Sequence, residues 1–309
     1  MNISADTQPE HPVVLLTGAT GYIGGRMIEP LQGSAWQLRC MGRSAGRLRT
    51  RVDSATEVVV ADALDRESLD VALRGVHSAF YLLHSMGEGP GFEERELLAA
   101  TNFVAAARNA GVQRIIYLGG LGAGGDLSAH LTSRQNVGRI LADSGIQTIE
   151  FRSSIIIGSG SLSFEIVRAL VHRLPVMITP KWVNTPTQPI AVEDVVSYLM
   201  AALETSDPRS RIYEIGGPDV TTYGGMLSEY ARQLGRRRLM IPVPLLTPWL
   251  SSLWLGLVTP VHASVGRELI ESIRNETTVH DHSAQEAFGI EPLSLEVALA
   301  RALEAERTA

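Results

Sequence analysis

Glycines recur at three-residue spacing in the segment Val13-Val14-Leu15-Leu16-Thr17-Gly18-Ala19-Thr20-Gly21-Tyr22-Ile23-Gly24-Gly25, and no other stretch narrows the fold as far. An apolar strand leads into the glycines, and an amphipathic helix, Tyr22 to Leu31, follows them. Gly18 allows a sharp turn, Gly21 lets a pyrophosphate come close to the backbone, and Gly24 lets the helix pack on the strand. The helix N-terminus adds free N–H groups and the positive end of a dipole. Glycine spacing alone is weak, but a strand before it and a helix behind it supply the context a dinucleotide site needs. A plain strand–helix turn would not require three glycines in register. Thr17, Gly18, Thr20, Gly21, Tyr22, Ile23 and Gly24 are therefore the first cofactor-binding candidates.

The pattern continues as alternating strands and helices. Apolar runs fall at Val13–Leu16, Gln37–Cys40, Val58–Val60, Ala79–Leu83, Arg114–Leu118 and Thr148–Phe151. Helical patterns lie between them at Tyr22–Leu31, Arg66–Leu73, Phe92–Ala110 and Ser133–Ser144. Short apolar runs separated by helices predict an α/β fold with a doubly wound parallel (Rossmann) sheet. Gly111 and Gly145 sit where left-handed helix ends are expected. Beyond Ile157 the alternation loosens: a helix at Phe164–Leu174, a loop-like, proline-rich Pro175–Gln188, a helix at Val192–Leu203 and a strand at Arg211–Ile215. The remainder reads as mostly helical. The expected organisation is a flexible tail over 1–11, a dinucleotide-binding domain over 12–158 plus 187–217, and a smaller, mostly helical C-terminal substrate lobe over 159–186 plus 218–309.

Composition limits the partners. With 309 residues, 45% of them hydrophobic and 19% charged, the chain can bury a large core. A net charge of −6 and no basic run beyond Arg236–Arg238 argue against nucleic acid. Cys40 is the one cysteine, so no internal disulfide forms and no cysteine-based zinc site exists, which fits a reducing cytoplasm. The start of the chain lacks the basic-then-apolar order of a signal peptide. His280-Asp281-His282 has metal-like spacing without an evident third ligand, and no metal is expected. Leu245–Val261 is strongly apolar but shorter than the ~20 residues of a spanning helix. It reads as a buried helix lining a pocket or a homodimer contact, with a membrane-resting surface as the alternative.

The cofactor type follows from the end of the second strand. An acidic residue about 20 positions past the glycines would bind the 2′-hydroxyl of NAD. Here Met41-Gly42-Arg43-Ser44-Ala45-Gly46-Arg47 puts Arg43 in that place. An arginine fork suits a 2′-phosphate. With Ser44 and Arg47 beside it, NADP(H) is favoured over NAD(H); the alternative is that both arginines are ordinary solvated side chains. Asp62 and Ala63 follow the third strand, where an adenine amino group would sit. Asp62 and Asp65 also precede a helical pattern and suit an N-cap. Leu82, Leu83 and His84 should border the cofactor's ribose or nicotinamide.

Thr-Gly-Ala-Thr-Gly-Tyr-Ile-Gly, an arginine after the second strand and Ala-Asp-Ala after the third resemble the extended short-chain dehydrogenase/reductase superfamily. Tyr81-Leu-Leu-His-Ser-Met86, Tyr117-Leu-Gly-Gly-Leu-Gly122 and Leu174-Pro-Val-Met-Ile-Thr-Pro-Lys-Trp-Val183 resemble its atypical, NmrA-like branch. The resemblance covers most of residues 13–218. It implies an NAD(P)-binding fold and, in active members, a Ser, Tyr and Lys catalytic set. Counting back from Ser144-Gly145 puts His130 at the tyrosine position and Arg134 at the lysine position. The serine position falls on Gly119 or Gly120, so all three expected groups are absent.

Arg134 could still bind ribose hydroxyls but cannot accept a proton near neutral pH. His130 could act as acid or base, or could cap its helix or fill a polar pocket. His84 is the third catalytic candidate. Ser85, Gly120, Lys181, Trp182, Gln188 and Trp249 are substrate candidates, with core or surface roles as the alternative for Lys181 and Trp182. The reading that follows is an NADPH-dependent reductase of a small apolar carbonyl compound or conjugated alkene. The alternatives are a non-catalytic NADP(H)-binding redox sensor, and a non-redox isomerase or cyclase that retains the cofactor.

Overall fold

The computed structural model describes residues 11–84, 91–122, 124, 127–243 and 273–308. Its centre is one sheet of seven parallel strands: β1 (Val13–Leu16), β2 (Gln37–Gly42), β3 (Glu57–Val60), β4 (Val76–Tyr81), β5 (Arg114–Gly120), β6 (Gln147–Ser153) and β7 (Arg211–Ile215). Their spatial order is β7-β6-β5-β4-β1-β2-β3. Parallel neighbours need long crossovers. Helices supply them: α1 (Tyr22–Gln32), α2 (Ala45–Arg49), α3 (Arg66–Ala72), α4 (Phe92–Ala110), α5 (Ala129–Ala142), α6 (Leu162–Arg173) and α7 (Val192–Glu204). The chain winds from β1 to β3 in one direction and restarts at β4 on the other side of β1. The crevice between β1 and β4 is therefore the topological switch point, where ligands of open α/β sheets bind.

Both faces of the sheet are covered, and β1 shows how. Val14 and Leu16 pack with Met27 and Leu31 of α1 and with Val195 and Leu199 of α7. Val13 and Leu15 face the opposite way, onto Leu69 of α3, Phe103 of α4 and Leu141 of α5. This is the period-two alternation of a strand, and it explains why β1 reads as an unbroken apolar run. Leu15 and Leu16 are fully buried, a contribution of about 1.5–3 kcal/mol each.

The later chain adds α8 (Tyr223–Gln233), α9 (Ser283–Phe288) and α10 (Leu295–Thr308). A third apolar cluster joins Phe164, Val167 and Leu170 of α6 to Met226 and Tyr230 of α8 and Leu299 of α10. The expected loop Pro175–Gln188 instead holds a strand, Val176–Thr179, and a 3₁₀ turn, Lys181–Asn184. That strand pairs in parallel with Leu239–Pro242, about sixty residues away. No local pattern could announce such a pairing. Among the described residues no helix is long and apolar enough to cross a membrane; Leu245–Val261 lies outside them.

Caps set the helix boundaries. The Asp65 carboxylate accepts from the Glu67 N–H at the start of α3, and Gly111 ends α4 at φ +72°. The Ser128 hydroxyl accepts from the Leu131 N–H, so α5 starts at Ala129 and not at Ser133 as the sequence suggested. The earlier start places His130 and Arg134 four residues apart on one helix, hence on one face.

Arg114 ties the amino end of β5 to the carboxyl end of α7. Its guanidinium donates to the carbonyls of Ala202 (3.0 Å), Leu203 (2.5 Å) and Thr205 (2.8 Å) and to Gln147 Oε1 (2.8 Å). These bonds satisfy carbonyls that a helix end leaves open. Arg114→Met should therefore lower unfolding stability by about 1–3 kcal/mol, read as a shift of the urea midpoint. An unchanged midpoint would contradict this role.

Candidate functional site

The glycine segment closes tightly on itself at the carboxyl end of β1. Gly18 has φ +68°, and a Cβ there would lie 2.4 Å from the Leu82 carbonyl oxygen. A Cβ at Gly24 would lie 2.2 Å from the Gly18 oxygen. The Gly21 N–H donates to that same oxygen at 2.8 Å. Thr17 is fully buried. Its hydroxyl donates to the Phe80 carbonyl (2.8 Å) and accepts from the Leu82 N–H (2.9 Å), so its side chain joins β1 to the end of β4. Gly21, the N-cap of α1, offers no side-chain cap. The first-turn N–H groups are left for another acceptor, and Thr20 and Gly21 beside them are exposed. A cradle free of side chains at an uncapped helix start fits a diphosphate.

Around this cradle the candidates separate. Arg43, Ser44 and Arg47 are exposed just past β2. No described residue takes an ion pair or a side-chain hydrogen bond from either guanidinium. Asp62 Oδ1 accepts from the Leu64 N–H at 3.0 Å, forming a turn, and the Ala63 carbonyl accepts from Asn102 Nδ2 at 3.2 Å. Ile23 is partly buried against the core. Tyr22 turns its ring toward Gly158 and Gly160. The Arg26 guanidinium stands 5.0 Å over that ring and donates to the Ser159 carbonyl. Burial raises the Tyr22 phenol to about 12, and its buried hydroxyl has no hydrogen-bond partner among the described residues.

The carboxyl ends of β4 and β5 carry the titratable groups. A recess there is lined by Tyr81, Leu83, His84, Glu96, Tyr117 and Arg134. His84 Nδ1 is 2.9 Å from Glu96 Oε1. The Ser133 hydroxyl donates to Glu96 Oε2 at 2.5 Å. The His84 and His130 rings meet edge to face, their centres 4.8 Å apart. His130 Nδ1 is buried and has no hydrogen-bond partner among the described residues. Burial, then the neighbouring His84 and Arg134, push the His130 imidazole down from 6.5 to about 3. His130 is thus neutral across the physiological range.

Arg134 donates to the Leu118 carbonyl and lies 5.4 Å over the Tyr117 ring. The Tyr117 hydroxyl donates to the Arg134 carbonyl at 3.0 Å, and burial pushes its phenol up to about 12. This tyrosine is committed to the core. Gly119 and Gly120 close β5 against their neighbours. A Cβ at Gly119 would meet Glu150 Oε1 at 2.7 Å, and one at Gly120 would meet Leu131 Cδ2 at 2.8 Å. A side chain at either place would displace packed atoms.

The substrate candidates do not converge. Gln188 is buried and acts as a clamp: Nε2 donates to the Gly217 carbonyl (2.7 Å) and Oε1 accepts from the Val279 N–H (2.9 Å). Lys181 is exposed on the 3₁₀ turn. Trp182 is half-buried edge-on to Tyr223, and its Nε1 has no partner among the described residues. Ser85 and Trp249 lie outside the described residues. Glu96 and Ser133 were not singled out from sequence. The available signal was position: Glu96 falls on the stripe of α4 that carries Ala99, Ala100 and Phe103, all buried. An acid on an apolar stripe needs a partner.

Comparison with known proteins agrees with this geometry. Residues 18–168 match the family described as NAD(P)H-binding. Over 233 residues the chain is 29% identical to the (4-alkanoyl-5-oxo-2,5-dihydrofuran-3-yl)methyl phosphate reductase of Streptomyces griseus subsp. griseus, covering 72% of this chain and 74% of that one. The fold superposes on the triphenylmethane reductase of Citrobacter sp. with a TM-score of 0.77 at 18% identity, covering 94% and 99% of the two chains. It superposes on the NADPH-dependent quinone oxidoreductase of Escherichia coli, complexed with NADPH, with a TM-score of 0.76 at 19% identity, covering 93% and 99%.

The buried His130 has a consequence for acid stability. Unfolded, its ring takes up a proton as the pH falls through ~6.5; folded, it does so only near 3. Between those values the unfolded chain binds more protons. The stability present above pH 6.5 is therefore lost as the pH falls toward 3, by up to about 1.4 kcal/mol per pH unit. His130→Phe should flatten this acid limb in urea unfolding between pH 6.5 and 4.5. An equally steep limb in the variant would contradict the assignment.

Proposed function

From a chain that carries an NAD(P)H-binding domain, in a fold shared with triphenylmethane reductase and an NADPH-dependent quinone oxidoreductase, we propose an NADPH-dependent reductase. Its substrate is a small apolar organic molecule, either a carbonyl compound or a conjugated alkene. The observation that carries this reading is the adjacency of two features at one sheet edge: the side-chain-free cradle of Gly18, Gly21 and Gly24, and the imidazole pair His84 and His130. The reductase activities in the names of the relatives support the reaction class.

A bound nicotinamide nucleotide supplies the hydride. The protein's part is to hold and to protonate. The first-turn N–H groups of α1 hold the diphosphate, and Arg43, Ser44 and Arg47 take the 2′-phosphate. Leu82 and Leu83 wall the ribose side. With Gly119 and Gly120 at the serine position, His130 at the tyrosine position and Arg134 at the lysine position, proton transfer falls to the imidazoles. A conjugated acceptor places the least demand on them, because conjugation already activates the carbon that receives hydride.

The test is loss of NADPH absorbance on mixing with a panel of quinones, enones and aldehydes. Turnover with at least one class is expected. Equal binding of NADPH and NADP⁺ with no turnover across the panel would favour the redox-sensor alternative.

Cofactor choice is tested separately. Arg43→Asp should weaken NADPH binding about tenfold or more while leaving NADH binding nearly unchanged, since a charge-assisted bond to phosphate is worth about 1.5–3 kcal/mol. Equal losses for both nucleotides in a calorimetric titration would contradict the 2′-phosphate role.

A further inference from the structure

We propose that Glu96 and His84 form a carboxylate–imidazole dyad, with Glu96 the positioning residue and His84 the group that delivers the proton to the reduced substrate. This rests on the reductase reading above and goes beyond it by naming the donor and the residues that aim it.

The geometry carries the assignment. Glu96 is almost fully buried on α4, 7% exposed, yet it is an acid. Both its oxygens are engaged, Oε1 by His84 Nδ1 at 2.9 Å and Oε2 by the Ser133 hydroxyl at 2.5 Å. An ionised carboxylate only accepts hydrogen bonds. The ring nitrogen facing it must therefore carry the hydrogen, which leaves Nε2 as the nitrogen that gains and loses a proton. A carboxylate on one ring nitrogen is the usual way a protein fixes the tautomer and aim of a working imidazole. The His84 side chain is 22% exposed against 8% for Glu96. The dyad thus has a buried, anchored member in Glu96 and a more open one in His84.

The other groups facing His84 suit this role. Tyr81 of β4 and Tyr117 of β5 are buried phenols held protonated. His130 and Arg134 face it from α5. His130 is neutral and meets the His84 ring through an edge. Arg134 is turned to the Leu118 carbonyl. Among the described residues that line this recess, Glu96 is the carboxylate beside His84, and a negative charge there favours a charged imidazole.

The step balances as follows. The substrate carbon gains the hydride supplied by the nucleotide, and the π pair of its C=O moves onto oxygen. That oxygen forms an O–H bond as the N–H bond at His84 Nε2 breaks. A bound nicotinamide nucleotide would be oxidised by two electrons in this exchange, and the ring would regain its proton from bulk solvent, so that one solvent proton is consumed per turnover.

The test uses the full-length protein with ¹⁵N-labelled histidine, the His84 signals being assigned through His84→Gln. In the unaltered protein, without nucleotide, neutral His84 should be the Nδ1-protonated tautomer. Glu96→Gln should shift its titration midpoint to lower pH and mix its tautomers, and Glu96→Asp should restore part of both. An Nε2-protonated tautomer in the unaltered protein overturns the dyad, with no variant needed. A midpoint unmoved in Glu96→Gln overturns it too.

In turnover, His84→Gln should lower kcat about a hundredfold and Glu96→Gln at least about tenfold, losses far larger than any change in NADPH affinity. The double variant should be no slower than His84→Gln alone, because the two residues act as a unit. Additive losses, or full activity in Glu96→Gln, overturn the proton-delivery role. Failure of the protein to bind NADPH would sink the reductase reading while leaving the tautomer measurement to stand or fall separately.

Discussion

The packing of the 18–24 backbone against itself and against Leu82 is the constraint from which the rest of the site follows. Gly18 must take a positive φ and Gly24 must touch the Gly18 carbonyl, or α1 cannot start directly over the end of β1. That start leaves N–H groups uncapped at the switch point between β1 and β4. The same crowding fixes Leu82, which Thr17 also grips through its hydroxyl. Because Leu82 is fixed, His84 emerges two residues later at a set place on the sheet edge. The glycine cradle and the imidazoles are thus placed by one set of contacts at one sheet edge, the close backbone approaches at Gly18 and Gly24 and the Thr17 hydroxyl.

Around that frame the chain holds polar groups at unequal depth. Glu96 and Ser133 are buried and bonded, His130 is buried and neutral, and His84 reaches outward. Burying an acid is costly unless its oxygens are satisfied, and here both are. The neighbouring glycines are equally constrained. Gly119 and Gly138 give their Cβ space to the Glu150 carboxylate, which pairs with Arg152 at 2.7 Å. Gly119 and Gly120 close a packed strand end, His130 is a neutral imidazole, and Arg134 is turned to the backbone carbonyl of Leu118.

Much of the fold was legible in the sequence, because parallel strands buried on both faces read as apolar runs and their crossovers read as helices. Phe92–Ala110 and Arg211–Ile215 could be read to the residue. The start of α5 was not, since Ser128 caps it from within a polar stretch where the apolar period is faint. The strand Val176–Thr179 was hidden because its partner lies at Leu239–Pro242, and sequence pattern carries no record of so distant a pairing. In the site, glycine spacing announced the cradle. Glu96 went unseen because Phe92-Glu93-Glu94-Arg95-Glu96 looks like an ordinary charged helix start, and only the three-dimensional neighbours reveal which glutamate turns inward. Gln188 looked like a ligand contact because a polar residue on a loop between apolar segments gives no hint that backbone groups from 217 and 279 claim both ends of its amide.

The central claim is that the strand–loop–helix element at 13–25 holds the diphosphate of a nicotinamide nucleotide. Calorimetric titration of NADPH into the folded protein tests it most directly. The account predicts one saturable site per chain that is lost when Gly24 is replaced by valine in a chain that remains folded by circular dichroism. Absence of heat up to millimolar NADPH with the unaltered protein, or undiminished binding in the folded Gly24→Val variant, would contradict it.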